Sequence, residues 1–323
     1  MPTEDEPTAG HASGYKLGSR SRVHAAVAGV HGNRFGGFQE LTGLRCCHSL
    51  AAAQFSFYLE LFRLSSSASM LLRPVILRFD SLPSTNTEAA RQAASGAAEG
   101  LCVVAREQTS GRGRQQRIWV SPPDAGLYFS IVLRPRLDMN HWPLLTLMSA
   151  LAVSDALADA CALSVDIKWP NDIEAGGRKV CGILAEAIET SVGRACIVGI
   201  GLNLKESALP SELRETATAV ETLTGFVPDI EQLLQSLTRA ISRRYQTLQE
   251  PGGAEQTIKE WVVRSSYAHD KRVRVTLDAE SIEGITRGLE PDGALRVETE
   301  AGEMKIIRAG DVLALRPAHN SFD

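Results

Sequence analysis

Apolar and polar residues settle into a regular pattern only from Met70 onward. PVILRFD (74–80) reads as a strand, and Ser84 or Thr85 is placed to cap the helix TNTEAARQAAS, which Gly96 ends. LCVVARE (101–107) and LYFSIVLRP (127–135) read as strands, the second rich in aromatic and branched residues. WPLLTLMSALAVSDALADA (142–160) repeats apolar residues every three or four positions, which predicts a buried helix. VDIKWPND, KVCGILAEAI and ACIVGIGLNL follow as three strands with short connections, and 229–249 and 254–265 read as helices. This order predicts a mixed sheet covered by helices. Beyond about residue 270 the period becomes two, in RVRVTL, ESIEGITRGLE, ALRVETE, EMKIIR and DVLALR, with a hairpin signal PDG at 291–293. Five short strands of this kind predict a small β-barrel.

The first 69 residues differ. Gly, Ser and Ala break them up, and they carry neither a helical nor a strand period. HSLAAAQFSFYLELFRL is apolar, but Glu60 and Arg63 interrupt it well short of a membrane span, and Glu4, Asp5 and Glu6 argue against a secretory signal. Their length would hold a winged helix, yet no two amphipathic helices join across a short turn. The expectation is a poorly ordered extension, or an upstream start with the protein proper beginning near Met70; an organellar targeting peptide is the weaker option.

Composition narrows the classes. The 323 residues are 44% hydrophobic, enough for one large domain and a small one. A formal net charge of −4 with no sustained basic run argues against nucleic acid as the partner, and no span argues for a membrane. The six cysteines (Cys46, Cys47, Cys102, Cys161, Cys181, Cys196) form no CxxC and no Cys/His metal spacing, which fits free thiols in a cytoplasmic protein.

Chemistry concentrates in a few strings. EQTSGRGRQQRIW (107–119) sets Arg112, Arg114 and Arg117 on a loop where Gly111 and Gly113 permit positive φ and close approach to a ligand. Guanidinium forks suit a carboxylate or phosphate, though alone the loop fits a solvated turn better than a site. KWPND (168–172) gathers Lys168, Asn171 and Asp172 where Trp169-Pro170 stops a strand. A lysine there neutralises phosphate, and a carboxylate holds Mg²⁺ or accepts a proton. RKVCGIL (178–184) adds Lys179, with Gly182 leaving room for something flat. GIGLNL (199–204) lacks the third glycine and the helix of a dinucleotide fingerprint, which leaves Asn203 as its notable residue.

In order and spacing, DSLPSTN (80–86), EQTSGRGR (107–114), KWPND, RKVCGIL, GIGLNL and the closing GDVLALR (310–316) resemble the biotin protein ligases. The resemblance implies an α/β (α+β) fold: a mixed-sheet catalytic domain of the biotin/lipoate ligase type over 70–268, and an SH3-like barrel over 269–318. It also implies activation of biotin by ATP and Mg²⁺ as biotinyl-5'-AMP. Transfer to one lysine of a biotin carboxyl carrier domain, such as that of acetyl-CoA carboxylase, would follow. Arg112, Arg114 and Lys179 would then draw biotin's carboxylate and the α-phosphate together. Gln108 with Ser84, Thr85 and Asn86 would line the biotin site, and Gly111, Gly113 and Arg117 would belong to the covering loop. Gly182, Leu184 and Asn203 would form a wall, with Asn203 near the nucleotide. Lys168 would add phosphate-side charge and Trp169 structure. Asn171 and Asp172 would lie on the metal and nucleotide side, Asp172 as a Mg²⁺ ligand or as the base for the carrier lysine. Trp119 fits packing on adenylate or an ordinary core position equally.

The family commonly follows GRGR with a basic residue, a small one and then Arg; here Gln115 and Gln116 take the first two places. The expectation is weaker retention of the adenylate. Two alternatives remain, a lipoate or octanoyl ligase of the same fold and a bifunctional ligase and repressor. A carrier domain could add a strand to an exposed sheet edge, and homodimerisation by the same sheet is a further expectation.

Overall fold

The computed structural model describes residues 72–277 and 280–315. The expectation for residues 1–69, together with Cys46, Cys47 and Arg316, lies outside the described residues.

The elements run β1 (Val75–Leu82), α1 (Thr85–Ala94), β2 (Leu101–Gln108), β3 (Gly126–Leu133), α2 (Leu144–Cys161), β4 (Asp166–Lys168) and β5 (Asp172–Ala175). They continue with β6 (Arg178–Thr190), β7 (Gly193–Asn203), α3 (Val220–Thr224), α4 (Ile230–Gln249) and α5 (Gly253–Arg264). Seven strands pair in the order β1-β2-β3-β7-β6-β5-β4. β1 and β2 run parallel and every other neighbour runs antiparallel, so the sheet is mixed. VDIKWPND, expected as one strand, divides into β4 and β5: Trp169-Pro170-Asn171 turns the chain, with a cis bond before Pro170, and sets Lys168 opposite Asp172.

Both faces of the sheet are covered, as the unbroken burial of β3 requires. One face carries α2, backed by α4 and α5. Fully buried residues such as Leu151 and Leu157 contribute roughly 1.5–3 kcal/mol each. Over Met139–Cys161 the chain is long and apolar enough to cross a membrane, yet most of it is buried inside the fold, the position of a core helix. α4 starts where Asp229 accepts the Gln232 N–H at 2.8 Å, and it buries Leu233, Leu237, Ile241, Tyr245 and Leu248 along one stripe. Asp155 of α2 ties the three helices together by accepting from Arg244 (2.8 Å), Arg264 (2.6 Å) and Arg243 (3.0 Å). Burial alone would raise this carboxyl, but Arg244 and Arg264 overcome it and hold Asp155 down at about 2. The other face packs Ala89 and Ala93 of α1 on Val103, Val132, Ala195 and Ile197.

The period-two region folds as β8 (His269–Thr276), β9 (Ser281–Leu289), β10 (Leu295–Thr299), β11 (Met304–Ile307) and β12 (Asp311–Ala314). They form an antiparallel sheet in the order β11-β10-β9-β8-β12, the small SH3-like domain. Gly293, at φ +84° in the PDG turn, lies against Leu144 and Leu147 of α2, and its carbonyl accepts the buried Trp169 Nε1–H at 3.0 Å. The core of the small domain is continuous with that of the large one through residues such as Val273, Leu295 and Val312.

Candidate active site

Strand alternation builds the site. On β7, Ile200 and Leu202 enter the α2-side core, so Gly199, Gly201 and Asn203 face the other way. On β6, Gly182, Leu184 and Glu186 share that face, with Gly182 opposite Gly201 and Leu184 opposite Gly199. α1 covers this face over Ala195 and Ile197, and its N-terminus borders the glycine stretch. There a cleft of about 350 Å³ opens. Every residue the sequence singles out for the site lines it except Gly111.

Hydroxyls and amides crowd one part of the lining. Thr85 donates to Gln108 Oε1 from its N–H (2.8 Å) and its hydroxyl (3.1 Å), and Gln108 Nε2 donates to Ser121 Oγ at 2.8 Å. Behind the lining, the fully buried Ser130 Oγ lies 2.6 Å from Asn86 Oδ1 and 2.8 Å from Thr85 Oγ1. Asn86 spends both amide hydrogens internally, on Glu186 Oε2 (2.7 Å) and the Leu184 carbonyl (3.2 Å). Ser84 occupies the N-cap position of α1, but no side-chain cap bond forms, contrary to expectation.

The arginine loop is a short hairpin. Trp119 N donates to Gly111 O at 2.9 Å and Gly113 N to Arg117 O at 2.7 Å, around a turn at Arg114–Gln116. The expectation of positive φ at Gly111 and Gly113 fails: Gly113 sits at φ −111°, and the left-handed residues are Gln115 (φ 52°) and Gln116 (φ 59°). Gly111 is needed for another close approach, since a Cβ there would stand 2.3 Å from the Trp119 carbonyl. The three arginines do not converge on one point. Arg112 pairs with Glu186 at 2.9 Å. Arg114 donates to Asn171 Oδ1 (3.0 Å) and Gly310 O (3.3 Å), and Arg117 pairs with Asp311. The loop is thus pinned to β6, to the KWPND turn and to the small domain.

Around that turn, Asn171 Nδ2 donates to Ile183 O at 2.8 Å, which leaves Oδ1 to hold Arg114. Asp172 meets Lys179 at 2.6 Å. Lys168, expected as phosphate-side charge, is paired with the buried Glu174 at 2.7 Å; Tyr267 donates to the same carboxylate at 3.0 Å, and burial together with Glu174 pushes that phenol well above its usual range. Asn203 donates to Thr218 O at 3.1 Å. Trp119 is no core residue: its half-buried indole lies on the glycine floor, where a Cβ on Gly201 would fall 2.5 Å from Cε2 and Nε1. Its ring centroid is 5.4 Å from Lys179 Nζ, and its Nε1 is buried with no partner.

Sequence reasoning misses Glu186, Glu174, Asp311 and the stretch from Lys205 to Ala217, of which Leu209, Leu213 and Thr216 line the cleft. That stretch has no period to read, and only alternation along GILAE hinted that Glu186 shares a face with Gly182. Among the described residues no three His, Cys, Asp or Glu side chains are grouped to hold a metal ion.

Residues 78–203 match the Biotin/lipoate A/B protein ligase family, and 268–314 match the Biotin protein ligase C terminal domain. The chain is 37% identical to the Biotin--[acetyl-CoA-carboxylase] ligase of Paracoccus denitrificans, over 71% of this chain and 96% of that protein. It is 35% identical to the Bifunctional ligase/repressor BirA of Bacillus subtilis, over 72% of each. Among solved structures, the biotin protein ligase of Aquifex aeolicus in complex with biotin and ATP superposes with a TM-score of 0.65, at 30% identity, over 75% of this chain and 99% of that one. With the mixed sheet, the small C-terminal domain and the arginine hairpin over a glycine floor, these likenesses place the chain in the biotin protein ligase family, as a ligase.

Proposed function

We propose that this ligase joins biotin to ATP as biotinyl-5'-AMP and then passes the biotinyl group to one lysine of a biotin carboxyl carrier domain of acetyl-CoA carboxylase. One observation carries the reading. A single cleft holds a hydroxyl and amide cluster suited to a neutral polar ring together with the cations Arg112, Arg114 and Lys179. In the first step a biotin carboxylate oxygen attacks the α-phosphorus, the bond from phosphorus to the bridging oxygen breaks, and pyrophosphate leaves. Both reactants are anionic, so the cations offset their repulsion and orient them. Each cation already has a partner within the chain, so the ligand's charges exchange for preset ones and little side-chain ordering is left to do. Ser84, Thr85 and Gln108, which line the cleft, supply donors and acceptors for the ureido ring.

In the second step the carrier lysine's neutral amine attacks the acyl carbon, AMP leaves, and one amine proton passes to a base, for which Asp172 is the nearest carboxylate to the Lys179 cation. Mg²⁺ fits this donor set: it is commonly held by one or two carboxylates plus substrate phosphates, and Asp172 would supply the carboxylate while the ion neutralised the leaving pyrophosphate. We assign 70–268 to catalysis and 269–318 to the small domain. A cytoplasmic setting is supported by Cys102, Cys161, Cys181 and Cys196, all buried free thiols. The repressor alternative rests on residues outside the described ones.

The test is ATP-dependent transfer of labelled biotin to a carrier domain by the wild type, Arg114→Ala and Lys179→Ala. The expected result is transfer by the wild type alone. Equal transfer by all three would overturn the site assignment, and transfer of lipoate in place of biotin would establish the alternative substrate.

A further inference from the structure

Glu186 stands where two parts of the site meet. It projects from β6 on the same face as Gly182 and Leu184, opposite Ile197 of β7. One oxygen, Oε2, accepts from Asn86 Nδ2 at 2.7 Å and from Arg112 Nη2 at 2.9 Å. Asn86 opens α1 beside Thr85 and Gln108; Arg112 belongs to the loop hairpin. A single carboxylate oxygen therefore joins the hydroxyl and amide cluster to a loop cation.

The surroundings leave Asn86 no second orientation. Its other amide hydrogen goes to Leu184 O, and its Oδ1 faces the Ser130 hydroxyl at 2.6 Å. Gly199 lies directly beneath: a Cβ there would come 2.1 Å from Oδ1. Flipping the amide would set Oδ1 against two acceptors, Glu186 and the Leu184 carbonyl. Among the described residues the Glu186 carboxylate is the one charged partner of the Asn86 amide, and through Ser130 the Thr85 hydroxyl is tied to the same array.

Its other partner is differently placed. The Arg112 side chain is 45% exposed and that of Glu186 31% exposed, so their pair adds little to folding stability. Its effect is orientation. Held by Glu186, the Arg112 fork is docked on β6 while the rest of the hairpin is fixed from elsewhere, by Asn171, Gly310 and Asp311.

We propose that Glu186 is a positioning residue for adenylate formation: its carboxylate sets the Arg112 guanidinium relative to the Asn86 and Thr85 cluster, so that the ligand's polar head and its carboxylate meet groups hung from one anchor. This rests on the biotin-activating reading above. It assigns Glu186 no contact with the reacting atoms.

The experiment is a double-mutant cycle on adenylate formation, followed by biotin-dependent exchange of pyrophosphate into ATP. The proteins are wild type, Glu186→Gln, Glu186→Asp, Arg112→Ala and Glu186→Gln with Arg112→Ala, each with a thermal melt. Glu186→Gln is expected to lower kcat about 10-fold, the scale of a modest misplacement of an active-site group, with the KM for ATP moved less than about 2-fold and an unaltered melt. The double variant is expected to be no slower than Arg112→Ala alone, because both changes break one linkage. Glu186→Asp, which keeps the charge on a shorter stem, is expected to fall between wild type and Glu186→Gln. An unchanged kcat in Glu186→Gln, multiplied losses in the double variant, or Glu186→Asp no better than Glu186→Gln would each overturn the proposal. If the wild type catalysed no biotin-dependent exchange, the biotin-activating reading itself would fall; an active wild type with an unaffected Glu186→Gln would remove this proposal alone.

Discussion

Lys179 on β6 and Asp172 on β5 meet at 2.6 Å, and the same lysine nitrogen lies 5.4 Å from the centroid of the Trp119 ring. The ammonium thus has both an anion and an aromatic ring as neighbours. Replacing Lys179 by Gln should slow adenylate formation by about 10²-fold or more, the scale for losing one preset electrostatic contact. Stability should change by no more than about 1 kcal/mol, because the ion pair is partly exposed. Pyrophosphate exchange and a denaturant melt check the two halves; a large melt shift with normal exchange would make the lysine structural.

The two facing glycines should respond differently to an added methyl group. At Gly182 a Cβ meets the Lys179 tail and the Trp119 edge at 3.1 Å, which a small shift relieves. At Gly201 it meets the indole at 2.5 Å, and the whole ring must leave. Overpacking costs about 1–3 kcal/mol, roughly 5- to 150-fold in affinity. Gly201→Ala should therefore raise the KM for biotin at least about 10-fold and shift tryptophan emission to the red. Gly182→Ala should do neither to that degree. Steady-state kinetics and fluorescence spectra decide it.

At the tip of the hairpin, Gln115 and Gln116 hold consecutive left-handed conformations. Such a conformation costs a side-chain-bearing residue roughly 1–2 kcal/mol that glycine escapes. Gln116→Gly should stabilise the docked hairpin and slow escape of free biotinyl-adenylate, by about 5-fold if 1 kcal/mol is recovered. Gln115→Arg restores a charge but not the backbone freedom, so its effect should be smaller. Release of labelled adenylate in the absence of acceptor measures both.

Far from the cleft, Asp155 gives a pH signature. Its carboxyl, held at about 2 against an ordinary 3.8, adds stability that is complete above the ordinary value and lost as pH falls from 4 toward 2. Asp155→Asn should flatten the stability curve over that interval. It should also cost about 1–2 kcal/mol at neutral pH, allowing for solvent screening. Urea melts at several pH values would reveal a parallel curve if Asp155 took no part in it.

Most of the sheet was legible because period two and its turn residues are local signals. The alternation of GIGLN alone sends Ile200 and Leu202 one way and Gly199, Gly201 and Asn203 the other. The four longer helices followed from their period, with ends displaced by one or two residues, but the short helix Val220–Thr224 has no period to read and was missed. The other missed features are non-local. VDIKWPND divides because its two halves pair with each other, a register no single-strand pattern announces. Positive φ moved from the glycines to the glutamines because the hairpin pairs Gly113 with Arg117 and leaves the turn between them. Glu186 and Asp311 became visible only when folding brought them 74 and 194 residues along the chain to their arginines.

That last separation bears on how far the two domains are interchangeable. Arg114 and Arg117 are held by Gly310 O and Asp311, where β12 begins. The hairpin over the large domain's cleft thus takes part of its shape from the small one. Grafting the small domain of a distant relative should preserve the fold and still misplace the hairpin, unless the donor brings an acid to the start of its last strand. Modularity in this architecture stops at one side chain.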